Sequence, residues 1–274
     1  MINCGLSSQF PRNANVKCLS AGTLGPKFAS SDRPRLDPPG YVDSDSAPMQ
    51  PRPSSYSAFV FDAYGTLFDV HAAVRRHAAK IGPDGQLLSE IWRAKQLEYS
   101  WTRTLMGAYL DFWQLTEQAL DFALRKVPTV DPSIRTSLLD AYWHLDCYPE
   151  IPAVLKELKA HGSRIAILSN GSPSMLDAAV KSAGLDLVID EIFSVDQVRR
   201  FKTDPSVYDL VTTAWRLYPD KVSFQSSNRW DAAGAKRFGF RTVWINRTGQ
   251  PDEYPDFAPD LILTSLEGLA ARSL

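Results

Sequence analysis

The chain has 274 residues, of which 44% are hydrophobic, and 30 Lys and Arg residues stand against 31 Asp and Glu residues. This near neutrality excludes a broadly basic surface for nucleic acid or an anionic membrane, and no apolar run approaches the ~20 residues that span a bilayer. The cysteines (Cys4, Cys18 and Cys147) are too few and too scattered for a disulfide framework or a zinc site. We therefore expect a cytoplasmic enzyme.

Residues 1–56 differ in composition from the rest of the chain. They hold 8 of the 19 prolines and show no apolar periodicity. Such a segment buries too little surface to offset the entropy of ordering, so we predict a disordered N-terminal extension. Two alternatives remain open. The segment is acid-poor and serine-rich before Asp32, as organelle transit peptides are, or translation starts later, for example at Met49.

From Ser57 onwards, short apolar runs alternate with stretches of helical periodicity. Five runs predict buried strands, each followed by polar or turn residues: 58–61, 164–168, 221–224, 241–245 and 260–263. Helical periodicity predicts three helices, at residues 152–161, 174–183 and 231–238. Strands that alternate with helices predict an α/β fold with a doubly wound parallel sheet.

Residues 71–149 interrupt this alternation. They show helical patterns with aromatic-rich faces, including Trp92, Tyr99 and Trp113, and no strand pattern. We predict that they form a helical cap subdomain, inserted into an α/β core of residues 57–70 and 150–274.

Polar side chains follow several of the predicted strands. Asp62 follows the first strand, Ser169 and Asn170 the second, and Ser226 and Asn228 a later one. Because the carboxyl ends of parallel strands meet at one edge of the sheet, where ligands bind, we expect these side chains to converge.

Lys202 and Asp231 are candidates for the same edge. A lysine near Asp62 would keep its carboxylate anionic and suited to nucleophilic attack. The alternatives are a turn or helix-cap role for either aspartate and a solvated surface position for Lys202. The four histidines lie in or beside predicted helices, away from the strand ends, which argues against a Ser-His-Asp triad.

Four segments resemble the four motifs of the haloacid dehalogenase superfamily. They are residues 61–69 (FDAYGTLFD), 168–172 (LSNGS), 201–208 (FKTDPSVY) and 226–235 (SSNRWDAAGA). Together with residues 92–99 (WRAKQLEY), the pattern is similar to that of the type II L-2-haloacid dehalogenases. The resemblance covers about residues 57–250 and implies a Rossmann-like core with an inserted cap.

The resemblance also implies an activity. Short-chain L-2-haloalkanoic acids would be hydrolysed to D-2-hydroxyalkanoic acids and halide through an ester of Asp62, without a metal ion or other cofactor, by a homodimer. The catalytic residues implied are the nucleophile Asp62, Lys202 beside it, Asp231 with Ser226 and Asn228 for the water, Thr66 in the turn after Asp62, and Tyr208 behind Lys202 and Ser226. The substrate-binding residues implied are Ser169 for the carboxylate, Arg93 and Asn170 for the halide, and Tyr64 and Trp230 as an apolar wall.

Two other functions are alternatives to this one, and the residues present disfavour both. A Mg²⁺-dependent phosphatase of the superfamily carries a second aspartate where this chain has Tyr64, and Asn228 is neutral where a metal ligand is expected. A non-catalytic binding protein on the same fold is disfavoured because Asp62, Lys202, Asn228 and Asp231 are all present.

Overall fold

A computed structural model describes residues 56–273 of the chain. The extension predicted for residues 1–56 lies outside the described residues, apart from Tyr56. The described part contains six strands, all in one sheet: β1 (Ala58–Phe61), β2 (Arg164–Ser169), β3 (Glu191–Ser194), β4 (Val222–Ser226), β5 (Arg241–Ile245) and β6 (Leu261–Leu263).

The sheet is parallel throughout, in the order β3-β2-β1-β4-β5-β6. Strand β1 is central and all four of its residues are buried, as expected for a parallel strand covered on both faces. The five strands predicted from sequence are confirmed to within two residues, and so is the doubly wound α/β fold. Strand β3 was not predicted.

Ten α-helices lie in the described part of the chain. They are α1 (Ala72–Arg76), α2 (Ala78–Ile81), α3 (Gly85–Met106), α4 (Phe112–Lys126), α5 (Arg135–Trp143), α6 (Ile151–Ala160), α7 (Pro173–Ser182), α8 (Pro205–Trp215), α9 (Arg229–Phe238) and α10 (Leu269–Ser273). The three helices predicted between strands correspond to α6, α7 and α9. Helix α8 was not predicted. Within residues 56–273, no helix is long and apolar enough to cross a membrane.

Helices α1 to α5 all lie between β1 and β2 in the chain, and α3 packs along α4 while α1 packs on α5. The segments that lead into and out of this helical region pair with each other. The amide of Asp69 donates to the carbonyl of Asp146 at 2.9 Å, and the amide of Tyr148 donates to the carbonyl of Leu67 at 3.0 Å. The helical region thus leaves and rejoins the sheet at one place.

The register of the sheet brings the strand ends together. Phe61, the last residue of β1, pairs with Ile167 of β2 on one side and with Gln225 of β4 on the other. Asp62 therefore stands level with Ser226, the last residue of β4, and one residue before the level of Ser169, the last residue of β2.

Helices α8 and α9 approach closely at Gly234. A Cβ atom at this position would lie 2.5 Å from Oη of Tyr208 and 2.7 Å from Cβ of Thr203. Such distances are shorter than any ordinary contact, so only glycine permits this approach of the two helices.

We predict that Gly234→Ala lowers the free energy of unfolding by about 1–3 kcal/mol, because overpacking outweighs the better helix propensity of alanine. The matched control is Gly85→Ala in α3, where the new Cβ would meet Ile81 at an ordinary 3.4 Å. The control should leave stability unchanged or raise it by up to about 1 kcal/mol. Urea unfolding of both variants measures this, and equal stabilisation of the two would contradict the close approach.

Candidate active site

The carboxylate of Asp62 lies at the carboxyl end of β1 and is 5% exposed. Its Oδ2 accepts hydrogen bonds from Asn228 Nδ2 at 2.8 Å, from Thr66 Oγ1 at 3.0 Å and from Ser226 Oγ at 3.5 Å. Its Oδ1 accepts one from Lys202 Nζ at 2.9 Å. The two oxygens are therefore held differently, with three donors on Oδ2 and the ammonium on Oδ1.

Lys202 is fully buried and its ammonium group bridges two carboxylates. Its Nζ lies 2.9 Å from Oδ1 of Asp62 and 2.8 Å from Oδ2 of Asp231. Burial by itself lowers the pKa of Lys202, but the charges of Asp231 and Asp62 outweigh this and raise it above the usual value. The side chain is therefore a permanent cation at neutral pH.

Asp231 lies in the first turn of α9 and is completely buried. Its Oδ1 accepts a hydrogen bond from Tyr208 Oη at 2.8 Å. Burial raises the pKa of the Asp231 carboxyl group to about 6, with Lys202 opposing the rise and the charge of Asp62 adding to it. One ammonium thus faces two carboxylates, and Asp231 takes up a proton in mildly acidic solution.

The turn after β1 is fixed by the turn after β4. The backbone amide of Ser227 donates to Thr66 Oγ1 at 2.8 Å, and the Thr66 hydroxyl in turn donates to Asp62. Asn228 Nδ2 reaches the carbonyl of Tyr64 at 3.3 Å as well as Asp62. Residues from two loops therefore hold one carboxylate oxygen.

Asn170 connects β2 to the loop that carries Lys202. Its Oδ1 accepts a hydrogen bond from the backbone amide of Lys202 at 3.0 Å. Ser169, the last residue of β2, is fully buried, and its Oγ accepts from the amide of Gly171 at 3.1 Å. Both side chains lie at the strand end where the sequence predicted them, and Asn170 helps to place the lysine.

Side chains of the helical region lie above this edge of the sheet. Arg93 of α3 donates from Nη2 to the carbonyl of Tyr64 at 3.3 Å. The ring of Tyr64 is buried and stacks on Tyr142 of α5, with ring centroids 5.7 Å apart. Trp230 of α9 is partly exposed and meets Trp101 of α3 edge to face at 5.4 Å. Aromatic rings therefore surround the approach to Asp62.

The residues present do not fit a divalent cation. Oxygens of Asp62 and Asp231 both point at the ammonium of Lys202, a cation that already offsets part of their negative charge. Among residues 56–273, no three His, Cys, Asp or Glu side chains are grouped so that they could ligate a metal ion. The donor set therefore speaks against a Mg²⁺-dependent phosphatase.

The structure brings the predicted catalytic residues into one hydrogen-bonded cluster, with two differences in detail. The hydroxyl of Tyr208 contacts Asp231, whereas the sequence suggested Lys202 and Ser226 as its partners. The side chains of Ser226 and Asn228 hydrogen-bond to Asp62, whereas the sequence grouped them with Asp231, whose contact with Asn228 is between backbone atoms. These side chains come from loops whose mutual orientation no sequence pattern specifies.

Two positions next to this cluster were not identified from the sequence. Gln96 lies one helical turn after Arg93 on the same face of α3, and its Oε1 is 3.5 Å from Arg93 Nη1. Arg247 donates from Nη2 to the carbonyl of Thr66 at 3.0 Å and forms an ion pair with Glu150 at 2.6 Å. The sequence could have indicated Gln96 only through its spacing, since residues three apart in a helix lie on the same face. No pattern in the sequence pointed to Arg247.

Known proteins resemble this chain over its described part. Residues 56–239 match the family described as haloacid dehalogenase-like hydrolase. The (S)-2-haloacid dehalogenase 4A of Burkholderia cepacia is 50% identical over 206 residues, which are 75% of this chain and 89% of that protein. The (S)-2-haloacid dehalogenase of Pseudomonas sp. (strain YL) is 47% identical over 210 residues, covering 76% and 90% of the two chains.

Solved structures give the same result. The crystal structure of a dehalogenase aligns with a TM-score of 0.78 at 47% identity, over 80% of this chain and 97% of that chain. The L-2-haloacid dehalogenase from Xanthobacter autotrophicus, solved with chloropropionic acid covalently bound, aligns with a TM-score of 0.73 at 37% identity, over 79% and 97% of the two chains. The chain therefore belongs to the haloacid dehalogenase-like hydrolases, and within them to the L-2-haloacid dehalogenases.

Proposed function

We propose that the chain hydrolyses short L-2-haloalkanoic acids to D-2-hydroxyalkanoic acids and halide, through an ester on Asp62 and without a metal ion. The observation that carries this proposal is the buried ammonium of Lys202, which forms an ion pair with the Asp62 carboxylate at the end of the central strand. A buried carboxylate that is held by an ammonium group at the open edge of a sheet can act as a nucleophile.

In the first step, Oδ1 of Asp62 attacks C2 of the substrate from the side opposite the halogen. The carbon–halogen bond breaks, both of its electrons leave with the halide, and C2 inverts. Oδ1 is the attacking atom because Oδ2 already accepts hydrogen bonds from Thr66, Asn228 and Ser226. The aromatic surroundings strip water from the carboxylate and so favour attack.

In the second step, water attacks the side-chain carbonyl carbon of Asp62, and Asp231 accepts the water's proton. Negative charge develops on Oδ2, where the donors from Thr66, Asn228 and Ser226 stabilise it. The ester bond then breaks at the carbonyl carbon, and the departing alkoxide next to Lys202 takes up the proton held by Asp231. One oxygen of water remains in Asp62, and the second proton of water passes to solvent as the Asp62 carboxylate is restored. Tyr208 holds the Asp231 carboxylate in place.

The substrate is bound by the residues around this nucleophile. The Ser169 hydroxyl and the backbone amides of the turn at Tyr64 receive the carboxylate. The halide leaves towards the Arg93 guanidinium and the Asn170 amide group. Tyr64 and Trp230 form the apolar wall, and the contact of Trp230 with Trp101 of α3 supports a site closed towards solvent.

Three broader assignments accompany the activity. Residues 71–149 act as a cap on the core of residues 57–70 and 150–274, supported by the contact of Arg93 with the carbonyl of Tyr64. The chain forms a homodimer, for which the exposed apolar residues Leu105 and Met106 of α3 are candidate contacts. The enzyme acts in the cytoplasm, in keeping with its few scattered cysteines.

We predict that the purified chain releases chloride from racemic 2-chloropropionate, consumes only the L isomer and yields D-lactate, with a rate that EDTA leaves unchanged. Ion chromatography and chiral chromatography measure the products. Asp62→Asn is the inactive control, since an amide cannot form the ester. Phosphate release from a generic phosphoester that EDTA abolishes would instead indicate a phosphatase.

We predict that a single turnover in H₂¹⁸O places the label in Asp62 and not in the first molecule of D-lactate. The reason is that water attacks the carbonyl carbon of the Asp62 ester and not C2. Mass spectrometry of the peptide that contains residue 62 and of the product measures both. Label in the first product would mean direct attack of water on the substrate.

We predict that the rate of ester hydrolysis, measured in single turnovers, falls about tenfold per pH unit as the pH drops below the pKa of Asp231, which burial raises to about 6. Asp231 must be anionic to accept the proton of water, so activity is present above this pKa and lost as the pH falls through it. In Tyr208→Phe the loss should begin at higher pH, because the Tyr208 hydrogen bond lowers the pKa of Asp231. A pH profile that this substitution does not move would contradict the assignment of the acidic limb to Asp231.

A further inference from the structure

A buried polar cluster lies within the helical region next to the site. Gln96 of α3 is 1% exposed, and Thr116 of α4 and Tyr142 of α5 are also buried. Burying an amide group among apolar helices costs free energy unless its polar atoms are hydrogen-bonded. The contacts of Gln96 therefore indicate what this arrangement does.

Thr116 fixes the orientation of the Gln96 amide. The Thr116 hydroxyl donates its one hydrogen to the carbonyl of Phe112 at 2.8 Å. It can therefore only accept from Gln96, whose Nε2 lies 3.0 Å away. Since the amide nitrogen faces Thr116, the oxygen Oε1 must point in the opposite direction, towards α5 and the site.

Gln96 Oε1 receives two donors on that side. Arg93 Nη1 lies 3.5 Å away and Tyr142 Oη lies 3.4 Å away. The other end of the Arg93 guanidinium, Nη2, donates to the carbonyl of Tyr64, which also accepts from Asn228. The guanidinium is thus held between Gln96 on one side and the loop that carries the nucleophile on the other. It has five N–H donors, more than these contacts use, so N–H groups remain to bind an anion.

We propose that Gln96 is a positioning residue, which with Thr116 and Tyr142 aims the Arg93 guanidinium at the departing halide. The inference rests on the proposed dehalogenase function. A neutral amide oxygen suits this task because it orients the cation without cancelling its charge, whereas a carboxylate at this position would form an ion pair with it. Gln96 should therefore affect the rate of carbon–halogen bond cleavage and the affinity for halide, and not the rate of ester hydrolysis.

The test compares Gln96→Met, which keeps the length of the side chain and removes the amide, with the wild-type chain. Single-turnover kinetics on L-2-chloropropionate and L-2-bromopropionate separate ester formation from ester hydrolysis. We expect ester formation from the chloride to slow about tenfold, the loss of one hydrogen bond to a charged group. The bromide, a better leaving group, should slow less, and ester hydrolysis should be unchanged. The inhibition constant of bromide should rise about tenfold.

Ser100→Ala is the matched control. Ser100 is buried on the same helix one turn further on, and its Oγ donates to the carbonyl of Leu97. This variant should keep both rates and the inhibition constant of the wild type. Tyr142→Phe, which removes only a hydroxyl group, should reproduce the pattern of Gln96→Met to a smaller degree and carries the test if Gln96→Met does not fold.

The outcomes separate the inference from the function on which it rests. The positioning role is overturned if the wild type is active and both Gln96→Met and Tyr142→Phe are slowed equally for both halides and in both steps. It is also overturned if neither variant is slowed. Either result leaves the proposed function standing. A wild type that releases no halide from either substrate overturns the proposed function and this inference with it.

Discussion

The arrangement of the site depends on one buried ammonium group shared by two carboxylates. Lys202 has no exposed side-chain surface, and its charge stays in the interior only because Asp62 and Asp231 lie within 3 Å of it. Removing the ammonium charge would leave two carboxylates without a counter-charge in a medium of low polarity. The cluster also carries one more negative than positive charge. Burial is the main reason why the pKa of Asp231 lies above that of an exposed aspartate, and the negative charge of Asp62 adds to the effect.

The alignment of the strand ends in the sheet makes this cluster possible. The central strand β1 ends at the nucleophile, and its neighbours β2 and β4 end within one residue of that level with polar residues. Lys202 comes from the loop between β3 and α8, and the Asn170 side chain holds the backbone of that loop beside β2. The close packing of α8 on α9 at Gly234 then brings Tyr208 to Asp231. The loop of Lys202 is thus held by Asn170, which follows β2, and the carboxylate of Asp231 is held by Tyr208 of α8.

Much of the core and of the site could be predicted from the sequence, because buried parallel strands are short apolar runs and their ends mark the site. The sequence did not reveal β3, which lies at the edge of the sheet and begins with the exposed Glu191. It also did not reveal α8, since Asp204-Pro205 is compatible with a turn as well as with a helix start. In the structure Asp204 caps the helix and Pro205 is its first residue. The partners of Tyr208 and the role of Gln96 depend on how separate elements pack, which local patterns do not encode.

The pairing of the segments at Leu67–Asp69 and Asp146–Tyr148 bears on how such a protein can change over generations. The sheet is connected to the helices between β1 and β2 only at this paired stem, whose two ends lie side by side. Insertion or loss of chain beyond the stem leaves the spacing of those ends unchanged, so the sheet need not adapt. The nucleophile belongs to the sheet, whereas Arg93 and the rings of the helical region belong to the insertion. Replacing the insertion would therefore alter which molecules are admitted while the reacting carboxylate stayed in place.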